Sequence, residues 1–329
     1  MKIGKISNEE LKDYVFKNII KTRKEVLVSS EIGMDTAILD FDSDLIVMST
    51  DPITGSTKDL GKLSVNISCN DVACGGAEPV AILMSILLPP SSTLEELEEI
   101  VRDADEECKR LNLDIVGGHT EVTDAVNRIV VTTTVVGRVK EDELPSISSI
   151  EVGDTVVISK SIGIEGSSII YKEKKEELDK ILNVDEKKEI MNFSNLLSVV
   201  KEAQIAKKFG VKYMHDITEG GLYGALWESA QVINKKITID KDTLPITESA
   251  KKIVKYFNLD IYRLISSGSM IFIMDKNEYK GFELECKKNN IEVMAIGKVE
   301  DGAGFYVKSK GDFVEEIKNT TVDELYKVV

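Results

Sequence analysis

The stretch "GKLSVNISCNDVACGGAEPVAIL", residues 61–83, changes pattern in its middle. Up to Ala77 small residues alternate with apolar ones, and the spacing predicts a helix over 59–77. Beyond it "PVAILMSILLPP" (79–90) is almost entirely apolar and predicts a buried strand over 79–88. This is the longest apolar run of the chain, too short to span a bilayer and closed by two prolines. Asn70, Asp71 and the pair Gly75-Gly76 stand where helix gives way to strand. A helix feeding a buried strand points to a mixed α and β fold.

On the C-terminal side, "STLEELEEIVRDADEECKRLN" (92–112) is a second helix, opened by a Ser/Thr cap with Glu three residues on. "LDIVGG" (113–118) and the β-branched "NRIVVTTTVVGRV" (127–139) are strands. On the N-terminal side, residues 8–25 have helical spacing with Asn8 as cap. "TAILDF" (36–41) and "DLIVMST" (44–50) read as a hairpin turning at Asp42-Ser43. The polar, proline-bearing segment 140–153 interrupts the pattern, which sets the expected domains at 1–148 and 149–329. The second domain alternates strands ("DTVVIS", "KYMHD", "KKITID", "MIFIMD", "IEVMAIGKV", "GFYVK") with helices, one of them over 193–210 and ended by Gly210. No short tandem repeat is present, so the class is α+β or mixed α/β in two similar units.

A net charge of −15 argues against a nucleic-acid partner, which would need a basic face. The four cysteines (Cys69, Cys74, Cys108, Cys286) are widely spaced without C-x-x-C and read as reduced thiols. With no apolar signal segment near the N-terminus, the expected location is cytoplasmic, away from any membrane. Standard nucleotide loops are excluded. "GSTKDLGKLS" (55–64) has five residues between its glycines and Leu63 where a P-loop needs Ser or Thr, and "GIEG" (163–166) lacks G-x-G.

What remains is a set of acids at the ends of apolar runs: Asp35, Asp51, Asp71 and Glu121. Magnesium takes a few such oxygens and completes its octahedron with water and phosphate. Neighbouring glycines let main-chain N–H groups approach phosphate. Taken singly, each acid reads first as a turn or cap residue. The passages "DIVGGHTEV" (114–122) and "YMHDITEGGL" (213–222) hold the only two histidines, each close to an acid, a hydroxyl and a glycine pair. His119 could be a base, a ligand or a neutral imidazole bonded in a loop, whereas His215 reads as a satisfied, semi-buried residue.

Together "GMDTA", "STDP", the opening stretch, "GGHTEV", "GDTVVISKSIGIEG", "MHDITEGGL" and "AIGKV" resemble, in order, the aminoimidazole-ribonucleotide-synthetase-like (AIR synthetase) superfamily. Within it, "GKLSVN", "HDITEGG" and "LPIT" are most similar to the HypE branch. The resemblance implies an N-terminal mixed-sheet dimerisation domain and a C-terminal α/β domain. It also implies a homodimer that binds ATP and Mg2+ and phosphorylates or phospho-activates a small-molecule or protein-borne acceptor. By matching positions, Asp35, Asp51 and Asp71 would be metal or triphosphate ligands, and Asn70 would hold the loop beside Asp71. Gly117, Gly118 and Thr120 would approach the phosphates, and Asp216, Gly220 and Gly221 would form the C-domain side. His119 and Glu121 are the catalytic candidates. The two glycine passages then read as two walls of one nucleotide site.

The sequence departs from the branch at Met34 and His119, which stand in place of acids, and at Glu219, in place of arginine. It has no cysteine after Cys286, where the branch carries a reactive cysteine tail. Two alternatives therefore stand beside the enzyme: a non-catalytic nucleotide-binding scaffold, and a metal or redox protein using His119 and the cysteines.

Overall fold

The opening stretch folds into a helix whose two sides are both covered, which explains why its small residues carry no clear polar face. The computed structural model describes residues 4–5, 11–28, 38–39, 41, 44–54, 59–309, 313–318 and 322–329. It divides into two units, Met1–Leu144 and Pro145–Val329.

The first unit runs β1 (Gly4–Lys5), β2 (Val26–Val28), β3 (Ile38–Leu39), β4 (Leu45–Thr54), α1 (Leu60–Cys74), β5 (Glu78–Leu88), α2 (Leu94–Leu111), β6 (Asp114–Val122) and β7 (Val130–Val139). Its main sheet has the order β1-β6-β5-β7-β4. Only β5 and β6 are parallel, and α2 makes the crossover between them that parallel pairing requires. α1 packs on β4 and β7 on one side and on α2 on the other. The helices meet at Gly61, where a Cβ would lie 2.0 Å from the Ile100 carbonyl oxygen. α2 opens with the expected capping box: the Thr93 hydroxyl accepts from Glu96 N, and Glu96 returns a bond to Thr93 N.

Two readings near the N-terminus are corrected. The expected helix over 8–25 is a π turn (Leu11–Val15) and a 3-10 turn (Phe16–Asn18), and Asn8 lies outside the described residues. Ile19 N still bonds the Phe16 carbonyl, but the amides of Ile20, Thr22 and Arg23 turn to acids of α2 and β6 instead of helix carbonyls. Ile20 N donates to Asp105 at 3.3 Å, and Thr22 N and Arg23 N donate to Asp114 at 2.7 Å each. The expected hairpin of 36–41 with 44–50 does not form either. β3 pairs with β2, whereas β4 pairs along its length with β7, whose β-branched residues match it.

The second unit runs β8 (Thr155–Ser159), α3 (Ile164–Glu173), α4 (Lys175–Leu178), α5 (Val184–Asn192), α6 (Val200–Lys207), β9 (Tyr213–Asp216), α7 (Gly221–Ile233), β10 (Lys236–Asp240), α8 (Glu248–Phe257), β11 (Met270–Met274), α9 (Tyr279–Lys288), β12 (Val293–Glu300), β13 (Gly304–Ser309) and β14 (Phe313–Ile317). These strands form one sheet, β14-β13-β10-β12-β8-β11-β9. β11 is buried throughout, and its Phe272 meets Phe282 of α9 at 5.0 Å between ring centroids. The helix expected over 193–210 starts only at Val200. The Lys160 ammonium accounts for the delay: it takes the Leu196 and Ser198 carbonyls at 3.1 and 2.7 Å, fixing a loop in place of the helix start. Among the described residues no helix is long and apolar enough to cross a membrane.

Candidate functional site

In the first unit the fold brings two of the predicted acids together. Asp51 lies on β4 and Asp71 on α1, and each is held by a serine of the other's element. Ser49 Oγ on β4 donates to Asp71 Oδ2 at 2.7 Å, and Ser68 Oγ on α1 donates to Asp51 Oδ2 at 3.2 Å. Thr133 of β7 sits opposite Asp51, close to Ser68, and its hydroxyl donates to the Ser64 carbonyl, tying the sheet to the helix. Burial pushes Asp71 up to about 6; the Ser49 bond opposes this and the adjacent Asp51 carboxylate adds to it. Asn70 is fully buried beside them on α1. Asp35 and Met34 lie outside the described residues.

Two neighbouring carboxylates of which one resists ionisation form a donor set that a divalent cation would relieve, so these residues fit such an ion. Among the described residues no three His, Cys, Asp or Glu side chains converge, so phosphate or water oxygens would have to complete its shell.

The first glycine pair lies inside a strand rather than in a loop. Asp51, Thr133, Met84 and Gly118 form one lateral row of the sheet, on the face covered by α1. Three strand spacings of about 4.8 Å put Gly118 roughly 14 Å from Asp51. A Cβ on Gly118 would sit 1.8 Å from the Met84 carbonyl oxygen, so this glycine is required by strand contact. His119 belongs to the next row, with Pro52, Thr132 and Ser85, and faces away from α1. Its Nε2 lies 3.2 Å from Glu121 Oε2, with both side chains exposed, while Thr120 turns inward and is buried.

In the second unit, Asp216 ends β9 and is buried, with His215 beside it; His215 Nε2 also reaches Glu228 at 3.2 Å. Gly220 and Gly221 both have left-handed φ, 85° and 63°, as the chain turns into α7. The Gly220 N–H does not point into open solvent. It donates to Asp323 Oδ2 at 2.7 Å, across 103 residues of sequence. Glu165, in the first turn of α3, is also buried; burial raises its pKa and the Asp323 charge adds to the shift.

Several of these groups escaped the sequence reading. Ser49 stands two residues before Asp51 on the same face of β4, and Ser68 one helical turn before Asp71, so periodicity could have found both. No local signal links Asp323 to Gly220. The thiols of Cys69, Cys108 and Cys286 are buried and pushed up by that burial, Cys286 to about 12, which keeps them neutral and unreactive at physiological pH.

Models of the AIR synthase related protein family match the chain twice, the N-terminal domain over residues 33–139 and the C-terminal domain over 151–310. A putative hydrogenase expression/formation protein of Methanocaldococcus jannaschii is 29% identical over 320 residues, 95% of this chain and 92% of that protein. The carbamoyl dehydratase HypE of Cupriavidus necator is 27% identical over 270 residues, 79% of this chain and 75% of its own. A crystal structure of the hydrogenase maturation protein HypE in complex with ATP shares the fold, with a TM-score of 0.80 at 20% identity, covering 98% of this chain and 96% of that one. Matched by both domain models in order, and sharing this fold, the chain belongs to the AIR synthase related family.

Proposed function

We propose that this protein binds ATP with a divalent cation, magnesium by its preference for carboxylate and phosphate oxygens, and uses the nucleotide to phosphorylate or phospho-activate an acceptor. The observation that carries this reading is the Asp51–Asp71 pair. Two carboxylates held side by side by Ser49 and Ser68, one of them raised to about 6, are unfavourable without a cation. When bound, the cation would neutralise charge on the phosphates. The bound cation would hold Asp71 ionised beside Asp51, and the two serines would keep both carboxylates in place. In the second unit the amide of Gly220, at the start of α7, is of a kind that donates to phosphate oxygens. The HypE–ATP structure of the same fold supports the choice of nucleotide. The acceptor is a small molecule or a group carried by a protein.

The open face of the N-terminal sheet supports a homodimer. Ile46, Met48 and Leu83 project from it and are 55%, 61% and 39% exposed. Met48→Asp should convert the dimer to a monomer in light scattering; an unchanged mass would remove this face from the interface.

Calorimetry with Mg·ATP and a non-hydrolysable analogue, followed by phosphate release, tests the main reading. Asp71→Asn should weaken Mg-dependent ATP binding by at least about tenfold and leave the melting temperature in metal-free buffer unchanged or slightly higher. Absence of nucleotide binding by the unaltered chain would refute the proposal. A second reading, a nucleotide-binding scaffold without turnover, is favoured by Glu219, whose carboxylate is engaged by the Tyr326 hydroxyl. Tight binding with no phosphate release in the presence of candidate acceptors would select it.

A further inference from the structure

The segment Val322–Val329 is fastened onto the two loops that surround the start of α7. Asp323 is 2% exposed, and its carboxylate accepts Gly220 N at 2.7 Å and Leu325 N at 2.8 Å, with the Ile265 amide as a further donor. Glu324 Oε2 accepts Asp260 N at 3.1 Å, and the Tyr326 hydroxyl bonds Glu219. The bonds thus fall on residues 219–220 and 260–265. These two loops touch at Gly221, where a Cβ would lie 2.8 Å from Leu264 N. A carboxylate gathering several main-chain N–H groups at a helix start occupies the position that a phosphate oxygen would take.

We infer that segment 322–329 is a built-in plug, with Asp323 standing in for phosphate at the Gly220 amide, and that nucleotide binding displaces it. This rests on the reading of Gly220 as a phosphate-facing group. The surroundings make the contact a reversible one. Glu219 and Glu165 both act on Asp323 or are acted on by it as like charges, and burial adds its own cost to the carboxylate. The same two acids would repel a bare phosphate, so the displacing ligand carries its own divalent cation. The plug therefore selects Mg·ATP over free ATP or inorganic phosphate, and it keeps the amide satisfied while the site is empty.

The test uses the full chain with Asp323→Asn and, separately, Tyr326→Phe, titrated calorimetrically with Mg·ATP. Hydrogen exchange of residues 322–329 is followed in parallel. Asp323→Asn should tighten Mg·ATP binding about tenfold and Tyr326→Phe about two- to threefold, and Mg·ATP should speed exchange in 322–329 of the unaltered chain. Tyr326 is 61% exposed, so its loss of one hydroxyl leaves the fold intact even if Asp323→Asn does not. Equal or weaker binding by the variants, or exchange in 322–329 that Mg·ATP leaves unchanged, overturns the plug while the proposed nucleotide function stands. If no form of the chain binds Mg·ATP, the function and the plug fall together.

Discussion

Gly117-Gly118 and Gly220-Gly221 look alike in sequence, each pair near a histidine, a threonine and an acid. The structure separates them. Gly118 lies inside β6, where the neighbouring strand's backbone leaves no room for a Cβ. Its role is set by the missing side chain. Gly220 lies where β9 gives way to α7, in left-handed conformation, with its amide bonded to a buried carboxylate. Its role is set by a main-chain donor at the start of the helix. Gly118 serves strand packing, and Gly220 presents a hydrogen-bond donor.

Alanine substitution gives the largest expected difference between them. In Gly118→Ala the new methyl meets the Met84 carbonyl, which cannot retreat without opening the β5–β6 pairing. We expect a loss of more than about 3 kcal/mol in urea unfolding, or failure to fold. In Gly220→Ala the nearest atom to the new methyl is Gly224 Cα at 3.7 Å, so only the left-handed φ is penalised, by about 1–2 kcal/mol. The reverse ranking would break the comparison.

Much of this was legible in the sequence, for reasons that also mark its limits. The helix and strand of the opening stretch, the Thr93 capping box and β7 follow from spacing, side-chain oxygens and β-branching, all local. The hairpin failed because strand pairing is a choice among partners. β3 and β4 are adjacent in sequence, but β7 offers β4 the longer matched edge. At the site, the motif order groups Asp51 with Asp71, and the fold sets them side by side. The link from Asp323 to Gly220 spans 103 residues and leaves no periodic trace. His119 and Glu121 looked equivalent to Thr120 as neighbours of a glycine pair. In a strand, alternation sends them to the opposite face.

A smaller effect sharpens the helix-start side. Glu165 is buried and its pKa is raised by that burial; bonds from the Ser267 hydroxyl and amide oppose the shift, and the Asp323 charge adds to it. The folded state therefore favours the protonated acid. This contribution to stability is fully present below the ordinary carboxylate range and is lost as pH rises through the folded pKa. Glu165→Gln removes the ionisable group. It should stabilise the protein at pH 7.5 and change little near pH 4, read from denaturant midpoints at both values. A variant less stable at pH 7.5 would mean that the Ser267 bonds to the charged form outweigh its burial.

The smallest expected effect belongs to the strand side. His119 and Glu121 form an exposed pair at 3.2 Å, and such pairs contribute about 0–1 kcal/mol. Both alternate onto the face away from α1, whereas Asp71 sits on α1 itself. His119→Ala should therefore change stability by no more than about 0.5 kcal/mol and Mg·ATP affinity by less than about twofold. The reason is geometric: a residue whose Cα is displaced along β6 from Gly118, itself three strands from Asp51, reaches the carboxylate pair only through the sheet. A tenfold loss of affinity in His119→Ala, with stability unchanged, would show that the strand pair also has a chemical role. The contrast between the strand around Gly118 as packing and the helix start at Gly220 as donor would then no longer hold.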